Sequence, residues 1–281
     1  MPKKTKKTRR HTKEQSTKFR FLEKTAESLP DYIRVTNAIH DSWNDEEGYS
    51  PDCWYRGVSD AQTHKLLPGF YRLSEDLDYL EEDDYREEFM RRARSLLDGR
   101  IPKDNWEWYF LMQHYGLPTR LLDWSEGALI GLFFAVEDFQ KLGDSKSDAA
   151  VWMLDPWYLN NWSFGSNEVL LYSEKRAAPY LSKEPFDADR WPKKPGAIMP
   201  TYNSSRLAAQ RGMFTIHGKD RHPLEDVLPE HNDPGLAKIT IPKKCITNIR
   251  EALRRTGVTD VVLFPELPSL ALDMRRSWER V

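Results

Sequence analysis

Cysteine is scarce in this sequence: Cys53 and Cys245 are the only two among 281 residues. Two cysteines cannot form a disulfide framework in a chain of this length, and neither is spaced as a metal ligand, which indicates a reducing compartment. Long apolar runs are also missing, since the longest, Ala128–Val136, is less than half of the roughly 20 residues that a membrane helix needs. We therefore expect a cytoplasmic protein without a membrane segment and without a bound metal.

The short motifs of common nucleotide-binding and hydrolase folds are absent as well. The sequence contains no Gly-x4-Gly-Lys-Ser/Thr loop, no Gly-x-Gly-x-x-Gly fingerprint and no Gly-x-Ser-x-Gly elbow. Its histidines and cysteines show no zinc spacing. The sequence therefore has no motif that indicates a P-loop, Rossmann or α/β-hydrolase enzyme. Any catalysis has to use arginine, glutamine, hydroxyl, histidine or carboxylate side chains.

Positive charge is concentrated at the N-terminus. Residues 1–20 contain nine lysines and arginines against Glu14 alone, a net charge of +8, whereas the whole chain carries −2, which leaves −10 on the remainder. No apolar periodicity crosses this segment, so we expect a disordered or extended basic arm ahead of a body formed by residues 21–281. Such an arm is a solvated tail, a phosphate-binding segment for nucleic acid or a docking segment for an acidic surface, and composition leaves all three open.

Hydrophobic patterning predicts helices and strands in an irregular order. Residues 21–40 have near-helical apolar spacing, with Pro30 marking a start or a break. Residues 105–115 predict an aromatic-rich helix that stops at Gly116. Without a regular βαβ rhythm, the class is α+β, with a mixed or antiparallel sheet flanked by helices. The predicted strands are residues 53–57, 149–154, 168–172, 212–217, 237–241 and 261–264.

Polar side chains crowd residues 113–125, between two apolar helical segments that have to be buried. Buried polar groups need partners or line a cavity. Asp123 can cap a helix from Glu126 onward. Arg120 can pair with Asp123, and His114 alone is more often a core histidine than a catalyst. Taken together, however, these residues predict a binding site.

One tetrapeptide and several later segments are similar to a known family. Trp54-Tyr55-Arg56-Gly57 resembles the aromatic-Arg-Gly motif that gives the FRG-domain family its name. The resemblance continues in order over roughly residues 50–270 and implies a single FRG-like catalytic domain within residues 21–281, with only the arm outside. The further similar segments are residues 66–72, 113–123, 128–135, 209–215 and 263–266.

The pattern is also remotely similar to ADP-ribosyltransferases of the Arg-Ser-Glu type, which use NAD as a substrate. This resemblance implies an ADP-ribosyltransferase-like fold in which Arg56, on a first strand, holds a phosphate or ribose of NAD. Its planar fork of donors matches phosphate bidentately, and Gly57 lets the backbone approach. Thr119 and Asp123 fall on a second strand ahead of an Ala- and Phe-containing helix, and are assigned to catalysis with Arg56. The implied NAD-binding residues are Tyr55, Arg56, Gly57, His114, Tyr115, Arg120, Trp124 and Ser125.

This sequence departs from the Arg-Ser-Glu pattern at its third element. Where those enzymes have a strand with a catalytic glutamate, the matching segment carries Gln210, which cannot act as a base. Glu168, ahead of the apolar residues 169–171, is the alternative carboxylate, although an ordinary edge-strand glutamate looks the same. We expect Gln210 or Glu168 to orient the ribose or the acceptor.

The leading hypothesis is an NAD-dependent ADP-ribosyltransferase that modifies nucleic acid, RNA in particular, with the basic arm contacting the acceptor. Such an activity is toxic to its host, so we expect an antitoxin or another control protein, as in toxin–antitoxin or anti-phage defence systems. One alternative is a metal-independent nuclease that uses His114, Arg120 and Asp123. Another is a nucleotide- or nucleic-acid-sensing module in which Arg56 and Arg120 clamp phosphates without turnover.

Overall fold

The structure is a computed structural model that describes residues 18–44, 48, 50–73, 79–97, 101–137, 147–181, 192–202, 204–232 and 234–278. All the strands in these ranges join one sheet. The strands are β1 (Leu22–Thr25), β2 (Trp54–Val58), β3 (Leu121–Ser125), β4 (Ala149–Leu154), β5 (Leu170–Leu171), β6 (Gly196–Met199), β7 (Gly212–Ile216) and β8 (Leu236–Ile241). The helices are α1 (Leu29–Trp43), α2 (Tyr79–Ala93), α3 (Asn105–His114), α4 (Ala128–Val136), α5 (Pro156–Phe164), α6 (Ser205–Ala209), α7 (Leu224–Val227), α8 (Ile246–Arg255), α9 (Asp260–Leu263) and α10 (Leu267–Trp278).

The strands follow the order β1-β8-β4-β2-β3-β7-β6-β5 across the sheet. The two outermost pairs, β1 with β8 and β5 with β6, are parallel, and the pairs between them are antiparallel. This arrangement confirms the predicted α+β class with a mixed sheet. Within the described ranges, no helix combines the length and the apolar character that crossing a membrane would take.

Helices cover one face of the sheet in two separate groups. Helix α4 packs against Tyr55 of β2, and helix α3 packs on the other half of the sheet, where the rings of Phe110 and Phe214 stack at 5.1 Å. Tyr55 pairs with Ser125, and Phe214 pairs with Asp123. Since paired residues share a face, and so do residues two apart on one strand, α3 and α4 lie on the same side of the sheet. The space between the two helices therefore lies above β2 and β3.

The opposite face carries a core of tryptophans. Trp54 of β2, Trp124 of β3 and Trp152 of β4 are all buried there and pack near Leu159 of α5. Because helices cover one face and this core covers the other, all six residues of β4 are buried. That burial explains the continuous apolar run by which β4 is predictable from sequence.

Three predicted elements differ from the structure. Residues 21–40 are not one helix: Leu22–Thr25 forms β1 beside β8, and the Ser28 side chain then caps α1, with Pro30 in its first turn as a start signal. Residues 261–264, predicted as a strand, belong to α9 and the residue after it. The strand predicted at residues 168–172 shortens to β5. Short apolar runs do not distinguish helix from strand, and the available neighbours decide.

Arg120, directly before β3, is buried in an ion pair with Glu82 of α2. Its Nε donates to Glu82 Oε2 at 2.6 Å, and its terminal nitrogens donate to the carbonyl oxygens of His217 and Tyr180 at 2.9 and 2.5 Å. Burial by itself disfavours the charge, but Glu82 raises the pKa of Arg120 above its usual range. The predicted pairing of Arg120 with Asp123 is therefore wrong, because the guanidinium is engaged by Glu82 and by the carbonyl oxygens of His217 and Tyr180.

Gly57 is the position where α4 comes closest to the sheet. A Cβ built there would lie 2.2 Å from the carbonyl oxygen of Gly131 and 2.3 Å from the backbone nitrogen of Ala135, both in α4. A Cβ at Gly131 would in turn lie 2.7 Å from that of Tyr55. The structure thus gives Gly57 a packing role: two facing glycines let the helix reach the strand.

Gly57→Ala should destabilise the fold, because backbone atoms of α4 would have to move to admit the methyl group. Overpacking of a dense core costs about 1–3 kcal/mol, and a clash with backbone belongs at the upper end of that range. Urea unfolding measures the loss. Gly69→Ala is the matched control, since Gly69 has an ordinary helical φ of −54° and its added Cβ would meet nothing closer than 3.5 Å. Equal losses in both variants would contradict the packing argument.

Candidate functional site

Strands β2 and β3 separate soon after they meet. In these two fully described strands, a single register pair joins them, Tyr55 with Ser125, after which β2 continues along β4 and β3 along β7. The Arg56 side chain enters the gap, where its Nη1 donates to the carbonyl oxygen of Asp123 at 2.6 Å. A strand carbonyl that loses its ladder partner needs another donor, and Arg56 supplies one.

Arg56 keeps donors available for a ligand. Its side chain is 18% exposed, and Nη1 also lies 3.6 Å from Asp123 Oδ2. Within the described residues, its buried Nε has no hydrogen-bond partner. Burial lowers the pKa of Arg56, with Asp123 opposing and Arg72 adding to the effect, yet a guanidinium stays protonated in proteins. A buried unpaired donor beside a cavity is costly unless an anion accepts from it.

A hydrogen-bonded row of side chains ends at the Asp123 carboxylate. Thr119 Oγ1 donates to Gln113 Oε1 at 2.5 Å, and Gln113 Nε2 donates to Asp123 Oδ2 at 2.8 Å. The row orients the Asp123 carboxylate although that side chain is 60% exposed. Asp123 is therefore an oriented strand residue and not the predicted helix cap, since α4 starts only at Ala128.

A cavity of about 690 Å³, the main cavity, lies above this gap. Its walls come from β2, β3, the loop after β2 and helices α3, α4 and α6. Cavities of about 300–1,000 Å³ are the usual size of small-molecule sites. Of the residues predicted from sequence, the main cavity brings together Tyr55, Arg56, Gly57, Asp123, Trp124, Ser125 and Gln210.

Sequence reasoning missed several residues of the main cavity. Arg72 lies in a segment that resembles the FRG family, so that resemblance could have selected it, whereas Gln113 belongs to the polar residues 113–125 that the sequence did predict. Lys65 and Arg206 gave no signal, because isolated cations are common on protein surfaces. Together with Arg56, these three cations make the walls predominantly positive, which favours an anionic ligand. The missed lining residues are Val58, Ser59, His64, Lys65, Arg72, Phe134, Glu137 and Arg206.

Glu137 also reaches the main cavity, but its carboxylate is held in an arginine cluster. It accepts from Arg254 Nη2 at 2.9 Å and lies 3.7 and 3.6 Å from nitrogens of Arg250 and Arg276. Burial raises the pKa of Glu137, and the three arginines only partly oppose this. Glu137 thus joins the end of α4 to α8 and α10. Across the described chain, no three or more His, Cys, Asp or Glu side chains are grouped to hold a metal ion.

The sequence predicted that Gln210 lies on a strand. In the structure, Gln210 instead reaches the main cavity from the end of α6, ahead of strand β7. It is the C-terminal cap of α6, and its Nε2 donates to the carbonyl oxygen of Leu263 at 3.1 Å. Its own carbonyl oxygen accepts from Ser125 Oγ at 2.7 Å, and that hydroxyl accepts from the Gly127 N–H at 3.0 Å. Ser125 therefore fixes the turn ahead of α4, with Gln210 as its partner.

Glu168 lies outside the main cavity. It precedes β5 at the far edge of the sheet and lines a different cavity, together with Trp54 and Trp157. Its Oε2 accepts from Arg176 Nη2 at 2.8 Å. Of the two candidates for the third element, only Gln210 therefore shares a cavity with Arg56.

Three further predicted residues have side chains committed elsewhere. Arg120 belongs to the ion pair with Glu82, and Thr119 is fully buried behind Gln113. The Trp124 indole is buried in the opposite face of the sheet, where its Nε1 donates to Thr215 Oγ1 at 3.0 Å. Stacking of Trp124 on a nicotinamide or a base is therefore not available in this arrangement.

His114 and Tyr115 lie beside the main cavity. His114 lines a recess of about 50 Å³ that also contains Asp123 and Gln210. Burial and the nearby Arg206 lower the pKa of His114, so its ring is neutral at physiological pH. Tyr115 is 65% exposed, and its ring meets that of His114 edge to face at 4.9 Å. The nuclease hypothesis needs Arg120 beside His114 and Asp123, whereas Arg120 points to Glu82.

Arg56→Lys should abolish tight binding of a diphosphate nucleotide while the chain stays folded. One ammonium cannot donate to the Asp123 carbonyl and also form two parallel bonds to a phosphate. Hydrogen bonds to charged groups contribute about 1.5–3 kcal/mol, so the affinity for ADP should fall about 10- to 150-fold. Calorimetric titration with ADP measures this. Arg176→Lys, beside Glu168, is the matched control, and equal affinities in both variants would place the ligand elsewhere.

Comparison with known proteins gives a match for one part of the chain. No curated protein matches, and no solved structure does. The family model of the FRG domain matches residues 51–143, a segment that contains β2, β3 and the helices α3 and α4. Arg56, Gln113 and Asp123 all lie within the segment that is similar to the FRG domain.

Proposed function

We propose that this chain is an NAD-dependent ADP-ribosyltransferase that modifies nucleic acid, RNA in particular. The observation that carries the proposal is the position of Arg56 in the gap between two strands. Its buried Nε is unpaired within the described residues, and its Nη1 lies 3.6 Å from the Asp123 carboxylate. The Arg56 guanidinium, which can bind phosphate, and the Asp123 carboxylate thus share one cavity. Transfer of the ADP-ribosyl group from a dinucleotide requires both groups.

The charges around the main cavity suit the pyrophosphate of NAD. Arg56 supplies a planar fork of donors that matches phosphate oxygens. Lys65, Arg72 and Arg206 add positive charge to the walls. Ring surfaces for the nicotinamide or the adenine come from two aromatic lining residues, Tyr55 and Phe134.

The reaction breaks the bond between ribose C1′ of NAD and the nicotinamide nitrogen, and the electron pair leaves with nicotinamide. The positive charge that develops on the ribose is stabilised by a nearby carboxylate. Asp123 provides it, in an orientation fixed by Gln113 and Arg56. A hydroxyl or ring nitrogen of the acceptor then bonds to C1′, and its proton passes to the Asp123 carboxylate.

Gln210 replaces the glutamate of the Arg-Ser-Glu pattern in this proposal. Its amide can donate to one oxygen of the ribose and accept from another, but it cannot remove a proton. Proton transfer therefore falls to Asp123, while Gln210 orients the sugar or the acceptor. Glu168 has no part in the reaction, since it is paired with Arg176 beside another cavity.

The proposal includes a nucleic-acid contact and a control partner. The basic arm, of which the structure describes only residues 18–20, supplies positive charge for the phosphates of the acceptor. An enzyme that modifies the RNA of its own cell is toxic, so an antitoxin or similar protein is needed to restrain it. A toxin–antitoxin or anti-phage defence system in the cytoplasm is the setting we propose.

Incubation of the full chain with NAD labelled in its adenylate phosphate, and with total RNA, DNA or protein, tests the proposal. We expect label in RNA and an equal amount of free nicotinamide, and neither product in Arg56→Lys. Arg176→Lys is the matched control and should form both. Label in protein alone would show that the acceptor is protein and not RNA. Failure to release nicotinamide with every acceptor would refute the transferase activity.

The same incubations separate the alternatives. RNA that is shortened without any consumption of NAD would indicate a nuclease. Retention of NAD or nucleic acid without nicotinamide release or RNA cleavage would indicate a sensing module in which Arg56 clamps phosphate without turnover.

Asp123→Asn should slow the first turnover by about 10²- to 10³-fold, because it removes the charge that stabilises the ribose cation. Gln210→Ala should also slow it strongly through lost positioning. Glu168→Gln should react at the wild-type rate, since this residue lies at the far edge of the sheet. Single-turnover rates of nicotinamide release compare the three variants. A larger loss in Glu168→Gln than in Gln210→Ala would move the reaction to the other cavity.

Deletion of residues 2–18 should weaken RNA binding and flatten its salt dependence, because the arm holds most of the excess positive charge. The melting temperature should change little, since Phe19, which hydrogen-bonds to His231, remains in place. Fluorescence anisotropy over a range of salt concentrations measures the slope. An unchanged slope would assign the arm to a protein partner instead.

A further inference from the structure

A second cavity adjoins the main cavity. This side cavity, of about 470 Å³, shares Arg56, Arg72, Gln113 and Asp123 with the main cavity. A ligand in each cavity would therefore meet the other at Arg56 and Asp123. Group transfer requires that two reactants are held close together, and here they would meet next to a carboxylate.

The walls of the side cavity combine positive charge with apolar surface. Arg56 and Arg72 contribute guanidinium groups, while Leu73, Leu117 and Pro118 contribute apolar atoms. Gly116 also lines the side cavity, and the residue directly before it in the chain, Tyr115, has an exposed ring. Cations that bind phosphate, next to apolar and aromatic surface that binds a base, are typical of sites for single-stranded nucleic acid.

A strip of exposed cations leads away from the side cavity along two loops that are tied together. The Leu224 N–H donates to the carbonyl oxygen of Leu66 at 3.0 Å, and the Tyr71 hydroxyl donates to the carbonyl oxygen of Gly218. The Arg221 guanidinium lies 5.6 Å from the centre of the Tyr71 ring. We name as the basic strip the four exposed residues that these loops carry: Lys65, Arg72, Lys219 and Arg221.

The described part of these loops also contains three carboxylates, two of which have partners of their own. Asp220 accepts from the His222 N–H at 3.0 Å and lies 2.7 Å from its ring nitrogen. Glu225 is buried, accepts from the Leu66 N–H at 3.1 Å and lies 4.0 Å from Lys65. Asp226 is exposed beside it. Among these described residues, Asp220 is engaged by His222, and Glu225 by the Leu66 N–H and Lys65, while all four residues of the strip remain exposed.

We infer that the basic strip and the side cavity bind the sugar-phosphate backbone of a single-stranded nucleic acid and deliver one of its nucleotides to Asp123. The inference rests on the proposed function in making this strand the acceptor of the ADP-ribosyl group. The main cavity then holds the donor, and the side cavity holds the acceptor. This contact is separate from that of the N-terminal arm, because the strip belongs to the folded body.

Anisotropy titrations of the full chain with a fluorescein-labelled single-stranded 12-nucleotide RNA test the inference. For each of Arg72→Gln, Lys219→Gln and Arg221→Gln, we expect the slope of log K against log salt to fall by about 0.7. The corresponding loss of affinity is about fivefold at 0.1 M salt. Arg255→Gln, an exposed arginine of α8, is the matched control and should leave the slope unchanged.

Two comparisons decide the outcome independently of the reaction. Wild-type slopes in all three strip variants would overturn the inference. So would displacement of the RNA by inorganic phosphate as readily as by unlabelled RNA, which would indicate a site for a single small anion.

Activity assays then distinguish this inference from the proposed function. In the absence of RNA, with water as the acceptor of the ADP-ribosyl group, Lys219→Gln and Arg221→Gln should release nicotinamide from NAD at the wild-type rate. With RNA present, both should transfer ADP-ribose to it several-fold more slowly than the wild type. Transfer at the wild-type rate in both variants would refute the strip as the acceptor site. If the strip variants lose RNA affinity but no protein ever releases nicotinamide, the nucleic-acid surface stands and the transferase fails.

Discussion

At the centre of the described sheet, strands β2 and β3 separate after a single register pair. The hydrogen bond from Arg56 to the carbonyl oxygen of Asp123 spans the gap between them. Without a charged donor, strands β2 and β3 would have either to remain paired or to leave a carbonyl unsatisfied. With it, they separate, and a cavity forms at the separation. The same guanidinium both stabilises the gap and provides donors to a ligand, so the fold and the site depend on one side chain.

Two features hold the sides of the gap in place. On one side, Gly57 and Gly131 bring α4 against β2, so that the helix carrying Phe134 forms a fixed wall. On the other side, the buried ion pair of Arg120 with Glu82 joins the start of β3 to α2, and the Arg120 N–H donates to the Tyr109 hydroxyl of α3. Removing one partner of such a pair usually costs about 3–5 kcal/mol. The site therefore rests on rigid elements, as precise positioning of a substrate requires.

The polar residues of the site divide the chemistry between them. Arg56 and the surrounding cations set the preference for an anion, while the row from Thr119 through Gln113 orients the Asp123 carboxylate. Glu137 also lines the main cavity, but its arginine partners neutralise it. One carboxylate that faces solvent, surrounded by positive charge, is suited to a substrate that is anionic at one end and develops positive charge at the other.

The sequence by itself determined the α+β class, and it predicted that Arg56 and polar residues of the segment 113–125 share one site, because local motifs and the buried strand β4 carry those signals. The structure brings Arg56 together with Gln113 and Asp123 at the main cavity. The sequence could not determine which polar residue faces which way. Asp123 and Arg120 lie three positions apart, yet the Asp123 carboxylate lines the main cavity, where Gln113 donates to it, while Arg120 forms a buried ion pair with Glu82 of a distant helix. For the same reason the sequence predicts neither strand β1 nor the burial of the Trp124 indole in the opposite face of the sheet. Their neighbours come from distant parts of the chain, and only the tertiary structure brings those parts together.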